Sequence, residues 1–200
     1  MSESSSWMLV RLGLETRQYH AGADATRLSL MDADTPAVYR AMLARILGFE
    51  APVEEALAAI CEPALVRRRA RAQWLRRDLL ALGMTASEME RLPRCVVRVT
   101  SVTQALGWLF VLERHGLVAG LILRHLMQRL PLDGASQYLA AHGEAPGARV
   151  RALCAAIDQH AVQHPMYPTL VVTTASEAFR WQRHWYLGHD ASRASIAAPG

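Results

Sequence analysis

The segment Ala105–Leu126, ALGWLFVLERHGLVAGLILRHL, constrains this chain more than any other. It is helical in pattern and apolar over most of its length, interrupted by Glu113, Arg114, His115 and Arg124. No run of about 18 uninterrupted apolar residues occurs, so a membrane span is not expected. The segment reads as the long apolar helix of a soluble bundle. It carries Gly116 and Gly120. Glycine inside a helix costs about 0.5–1 kcal/mol relative to alanine. Two explanations stay open: close helix–helix packing, or a bend that brings the backbone against a ligand.

The rest of the chain follows the same period. A first helix is expected from about Trp7 to Gly22, with Leu9, Leu12 and Tyr19/His20 on one side. A second starts at Asp and Thr cap residues with Pro36 in an N1-like position, and Pro52 is expected to bend or interrupt it. A third, PALVRRRARAQWLRRDLLALG, ends at Gly83 as a C-cap. MTASEMERLPRC reads as a loop, and Cys95–Val102 as a short extended piece or a lead-in to the long helix. GASQYLAAHG is short, and GARVRALCAAIDQHA and TTASEAFRWQRHWYLG are the last two helices. No alternating strand pattern or internal repeat appears. The expectation is one all-α domain over 7–188, a multi-helix bundle of about seven to eight helices, between a flexible N-terminus 1–6 and a flexible tail 189–200.

Charge and cysteines narrow the function classes. The net charge is +4 and the chain has no lysine, so its cations are arginines, suited to planar contacts with carboxylates. The excess is too modest to imply nucleic acid. The arginine-rich stretch Arg67–Arg77 surrounds Trp74, but Leu75, Leu79 and Leu80 supply an apolar face, so a solvated helix face is favoured over a nucleic-acid stripe. Cys61, Cys95 and Cys154 form no C-x-x-C pair, which together with the lack of a secretory pattern points to a reducing cytoplasm. His160 and His164 are four apart without a third ligand motif and read as surface; His125, His142, His184 and His189 carry no motif.

TRQYHAGAD (Thr16–Asp24) sets His20 among small residues, which leaves room for something flat. With YRAMLARILGFEAPVEEAL, RRDLLALG, ALGWLFVLERHGLVAGLILRHL and AFRWQRHWY, in that order over about residues 8 to 187, the chain resembles the bacterial heme oxygenases. The resemblance implies an all-α fold and heme as substrate and cofactor. It implies that His20 ligates the iron, that Asp24 holds the other imidazole nitrogen and that Arg17 meets a heme propionate. On the distal side it implies a glycine-rich helix lying against the heme. There the chain departs from the family, with Arg114 and Val118 in place of glycines; Ala119 and Gly120 remain small, and Gly116 and Gly120 are candidates for the bend. Phe110 stands where some relatives have tyrosine.

His115 is new on that helix. Three roles stay open for it: hydrogen-bond donor to bound oxygen, direct iron ligand, or packing residue. The resemblance implies a biliverdin-producing oxygenase that takes electrons from a ferredoxin or reductase and needs neither nucleic acid nor membrane. The altered distal helix motivates a second reading, a non-catalytic heme binder or sensor. A helical interaction domain without heme is a third.

Overall fold

A computed structural model describes residues 6–61, 66, 70–143, 145–161 and 166–188. The expected flexible tail, most of the N-terminal segment, Arg67–Arg69, His164 and His189 lie outside the described residues. Nine α-helices and no strand appear among those described: α1 Trp7–Glu15, α2 Arg17–Leu28, α3 Pro36–Ala58, α4 Ala72–Ala81, α5 Ala86–Glu90, α6 Val102–Met127, α7 Gln137–Ala140, α8 Pro146–Ala161 and α9 Tyr167–Tyr186.

Several boundaries follow from local chemistry legible in the sequence. Thr35 accepts from Val38 N at 3.3 Å and Pro36 opens α3, where its missing N–H costs nothing. Gly83, at φ +82°, closes α4: its N–H reaches Leu80 O and the Met84 N–H reaches Leu79 O, both at 2.9 Å. That pair of reversed bonds is the Schellman motif, which needs a left-handed residue.

Other boundaries differ from expectation. The first helix is two, because the chain turns at Thr16 between α1 and α2. α3 runs through Pro52 to Ala58, since packing on both sides of the proline outweighs its one lost hydrogen bond. The expected loop after Gly83 contains α5. Thr85 and Glu88 form a reciprocal capping box there, and the T-A-S-E signature was in plain view.

The interior has two apolar clusters, and α3 and α6 run through both. Phe49, Val53 and Leu57 with Leu106, Leu109 and Phe110 belong to the first, where α1, α8 and α9 join them. Tyr39, Leu43 and Leu47 with Ile122 and Leu126 belong to the second, with Leu75 and Leu79 of α4. By length and apolarity α6 is sufficient to cross a membrane, but 67% of its most apolar window is buried inside the fold, which accounts for that composition.

α9 packs along the first half of α6, and a glycine outside the expected pair makes this possible. A Cβ on Gly107 would lie 2.8 Å from both Ala175 N and Val171 O, which are backbone atoms that cannot rotate away. Gly107→Ala is therefore expected to destabilise the protein by about 1–3 kcal/mol through overpacking, despite alanine's higher helix propensity. A lowered urea midpoint with unchanged slope would show it; an unchanged or raised midpoint would refute it.

Candidate functional site between α2 and α6

α2 presents His20 toward α6 and α9. The ring is half-buried and tilted against Phe179, with centroids 5.5 Å apart. The Thr16 hydroxyl donates to Leu12 O at 2.6 Å, one turn back. A hydroxyl has one hydrogen, so the 2.7 Å contact with His20 is Nε2–H donating to Thr16 Oγ1. The lone pair of the neutral ring then sits on Nδ1. Burial lowers the His20 pKa, and the Arg114 cation lowers it further against the opposing pull of Asp24. His20 is thus a neutral imidazole at neutral pH, the form that binds a metal.

Asp24 lies one turn beyond His20, but its carboxylate is taken by another partner. Arg114 Nη2 donates to both oxygens at 3.1 Å, joining α6 to α2. Arg114 Nε is buried without a partner. The ion pair spans the two helices. Beside it, Leu117 and Leu121 follow at helical spacing on the same face of α6, exposed by 41% and 48%. On α2, Ala21 and Gly22 are exposed, and a Cβ on Gly22 would meet nothing within 4 Å. Arg17 is exposed at the start of α2. Leu117 and Leu121 were not singled out from the sequence; the signal was their position three and seven residues beyond Arg114.

Among the remaining expected site residues, Val118 flanks the Arg114–Leu117–Leu121 stripe and the others turn progressively away from it. Ala119 is in the second apolar cluster and Val118 packs against it. Gly116 faces His142 and Pro146, where a Cβ would come within 2.9 Å of His142 Nδ1. Gly120 is exposed, and a Cβ there would meet only the Arg124 side chain of its own helix, at 3.6 Å. Gly116 is therefore a close-packing glycine, and neither glycine breaks the helix. His115 is turned inward and 4% exposed.

His115 belongs to a buried polar network at the seam between the two clusters. Glu50 Oε1 accepts from Arg27 Nη2 at 3.0 Å, Tyr138 Oη at 2.7 Å and His115 Nδ1 at 2.9 Å. Arg27 also donates to Tyr138 Oη, and its Nη1 to Tyr186 Oη at 3.4 Å. Burial alone would raise the Glu50 pKa; Arg27 and His115 overcome it and hold the group at about 2. Burial and Arg27 keep His115 below its usual value, hence neutral. The buried Gln182 amide lies beside its ring. Asp78 of α4 extends the polar interior by accepting from Gln137 N and Tyr138 N, both at 2.9 Å, which caps α7.

A half-buried neutral imidazole facing a second helix across an ion-paired gap is a specific arrangement, and the heme oxygenase family model matches residues 7–187. The chain belongs to the heme oxygenase family. No curated protein matches it significantly. Both the all-α architecture and the span of the match agree with the resemblance read from the sequence. Among the described residues no group of three or more His, Cys, Asp and Glu side chains is placed to hold a metal ion.

Proposed function

We propose that this chain binds heme between α2 and α6 with His20 as axial iron ligand, and cleaves it to biliverdin, carbon monoxide and ferrous iron with electrons from an external donor protein. The observation that carries the reading is His20 itself, a neutral imidazole on the face of α2 turned toward α6 in a member of this family. The donor set fits heme. Leu117 and Leu121 offer an exposed apolar wall, Gly22 leaves space, and Arg17 and Arg114 are cations for a carboxylate-edged ring. Bound heme supplies the iron at which oxygen is reduced and the ring carbon that is oxidised.

The chain's own residues hold and orient. Iron ligation by His20 would leave its other ring nitrogen to be held by a hydrogen-bond acceptor, for which Asp24, one turn on, and the Thr16 hydroxyl are the groups at hand. Arg114, now paired with Asp24, would be the cation available to a ligand carboxylate. On α4, Arg76 and Arg77 are exposed, with the Arg77 guanidinium 4.6 Å from the Trp74 ring centre; this basic face suits an acidic electron donor.

The Arg114–Asp24 pair favours one second reading, a heme binder or sensor without turnover, because it places a cationic side chain where the family keeps the helix bare. One experiment separates the two. The protein is titrated with hemin, then given a reductant in air. A 1:1 complex whose main band bleaches while biliverdin absorbance rises supports the oxygenase. A complex that survives reduction establishes the binder and refutes turnover. Absence of any complex refutes heme binding.

A further inference from the structure

Between α3 and α6 lies a cavity of about 10 Å³ lined by Glu50, Glu54, Arg71, Leu112, Glu113 and His142. That volume holds about one water molecule. His142 is 6% exposed and its Nε2 has no hydrogen-bond partner in the fold. Its Nδ1 edge abuts Gly116, so the ring is held in place by α6. A buried imidazole nitrogen left unpaired is costly, and a water in the adjoining cavity removes that cost.

Among the polar lining residues Glu54 is half-buried and the others are buried. Its carboxylate accepts from the Arg71 N–H and from the Ala72 N–H at 3.1 and 3.2 Å. The groups facing it come from every surrounding element. Glu50 is on its own helix and Arg71 at the start of α4. Glu113 comes from α6, paired with Arg149 of α8 at 3.0 Å, and His142 follows α7.

We propose that this cavity is a hydrated proton-binding site, in which one water molecule joins Glu54 to His142 Nε2 and Glu54 is the group that takes up and releases the proton. Glu54 protonated from solvent donates its O–H to the water oxygen, and the water donates to His142 Nε2; no other group changes charge. Burial, reinforced by the Glu50 carboxylate, raises Glu54 to about 7 against its two backbone donors and Arg71. Glu50 stays ionised, held at about 2, and burial keeps His142 neutral by pushing it down to about 3. Glu54 alone among the three exchanges a proton near neutrality. The site stands without heme. On the oxygenase reading it also has a use, because reducing oxygen consumes protons.

The test uses the full chain without heme, carrying carbon-13 in its glutamate side chains and nitrogen-15 in its histidines. Nuclear magnetic resonance spectra are followed from about pH 4 to about pH 9, a range that spans ordinary and raised carboxyl values. One glutamate carboxyl is expected to titrate with a midpoint near 7, and that resonance should be missing in Glu54→Gln. The His142 ring should stay neutral throughout and show a cross-peak to water. A Glu54 that titrates near its ordinary value of 4.5 overturns the proposal. So does a His142 ring with no water contact, which would mean a dry cavity. Unfolding gives a second readout. A raised folded-state value stabilises below the ordinary 4.5 and is lost as pH rises toward about 7; Glu54→Gln should flatten that fall, and an unflattened slope counts against Glu54 as the proton carrier.

Discussion

Arg27→Met is expected to destabilise the protein by about 3–5 kcal/mol, the usual cost of leaving one member of a buried ion pair uncompensated. For a domain of this size that is a fall of about 10 °C in melting temperature. Arg27 and Glu50 are 3% and 2% exposed, so solvent cannot take over the role of either. Without the guanidinium, Glu50 keeps Tyr138 and His115 but loses the cation that holds it at about 2. Burial then dominates and its pKa rises. The sign of the pH dependence follows. In the wild type, Glu50's contribution is present above its ordinary value of 4.5 and lost as pH falls toward 2. In the variant the raised carboxyl favours the folded state at low pH. The deficit should be widest near neutrality and close on acidification, as read by urea unfolding at several pH values. Adding Glu50→Gln, which removes the stranded charge, should recover much of the loss. A deficit under about 1 kcal/mol at neutral pH would show that the network is well hydrated.

His20→Ala should weaken hemin binding more than tenfold, a tenfold loss being about 1.4 kcal/mol. It should cost folding stability only about 1 kcal/mol, because the ring is half-buried and gives up one hydrogen bond to Thr16. Free imidazole added to the variant complex should restore the wild-type spectrum by supplying the missing ligand. Since Arg114 and burial hold His20 below its ordinary value, wild-type affinity should be flat above about pH 6.5 and fall only as the ring protonates below it. Equal affinities for variant and wild type would remove His20 from the iron.

Much of the fold was legible because it rests on local chemistry. Pro36 after Thr35 and the left-handed Gly83 each mark a boundary with a mechanism. The break at Thr16 was not legible: it depends on the hydroxyl bond to Leu12 O, which helical periodicity does not encode. Pro52 misled because a proline's local cost can be outweighed by tertiary packing. At the site, the motif around His20 was readable, but the partner of Asp24 was not. Arg114 is 90 residues away in sequence, and only the crossing of α2 and α6 brings them together. His115 shows the same limit. A histidine on an apolar helix gives no sign of the buried Glu50 it faces. Gly107 looked like any helix glycine until α9 was placed beside it.

The two helices that flank the candidate site, α2 and α6, are held in different ways. α6 is fixed along its length, from Gly107 against the α9 backbone to Leu126 in the second cluster. α2 buries only Ala23 and Arg27, and a turn at Thr16 separates it from α1. Arg27, tied to Glu50 and Tyr138, anchors its second half; His20 lies two turns away, bonded to Thr16 and tilted on Phe179. The mechanical consequence is that the two walls of the proposed site differ in stiffness: on the heme-binding reading, a flat ligand entering between them would displace α2 more readily than the deeply buried α6.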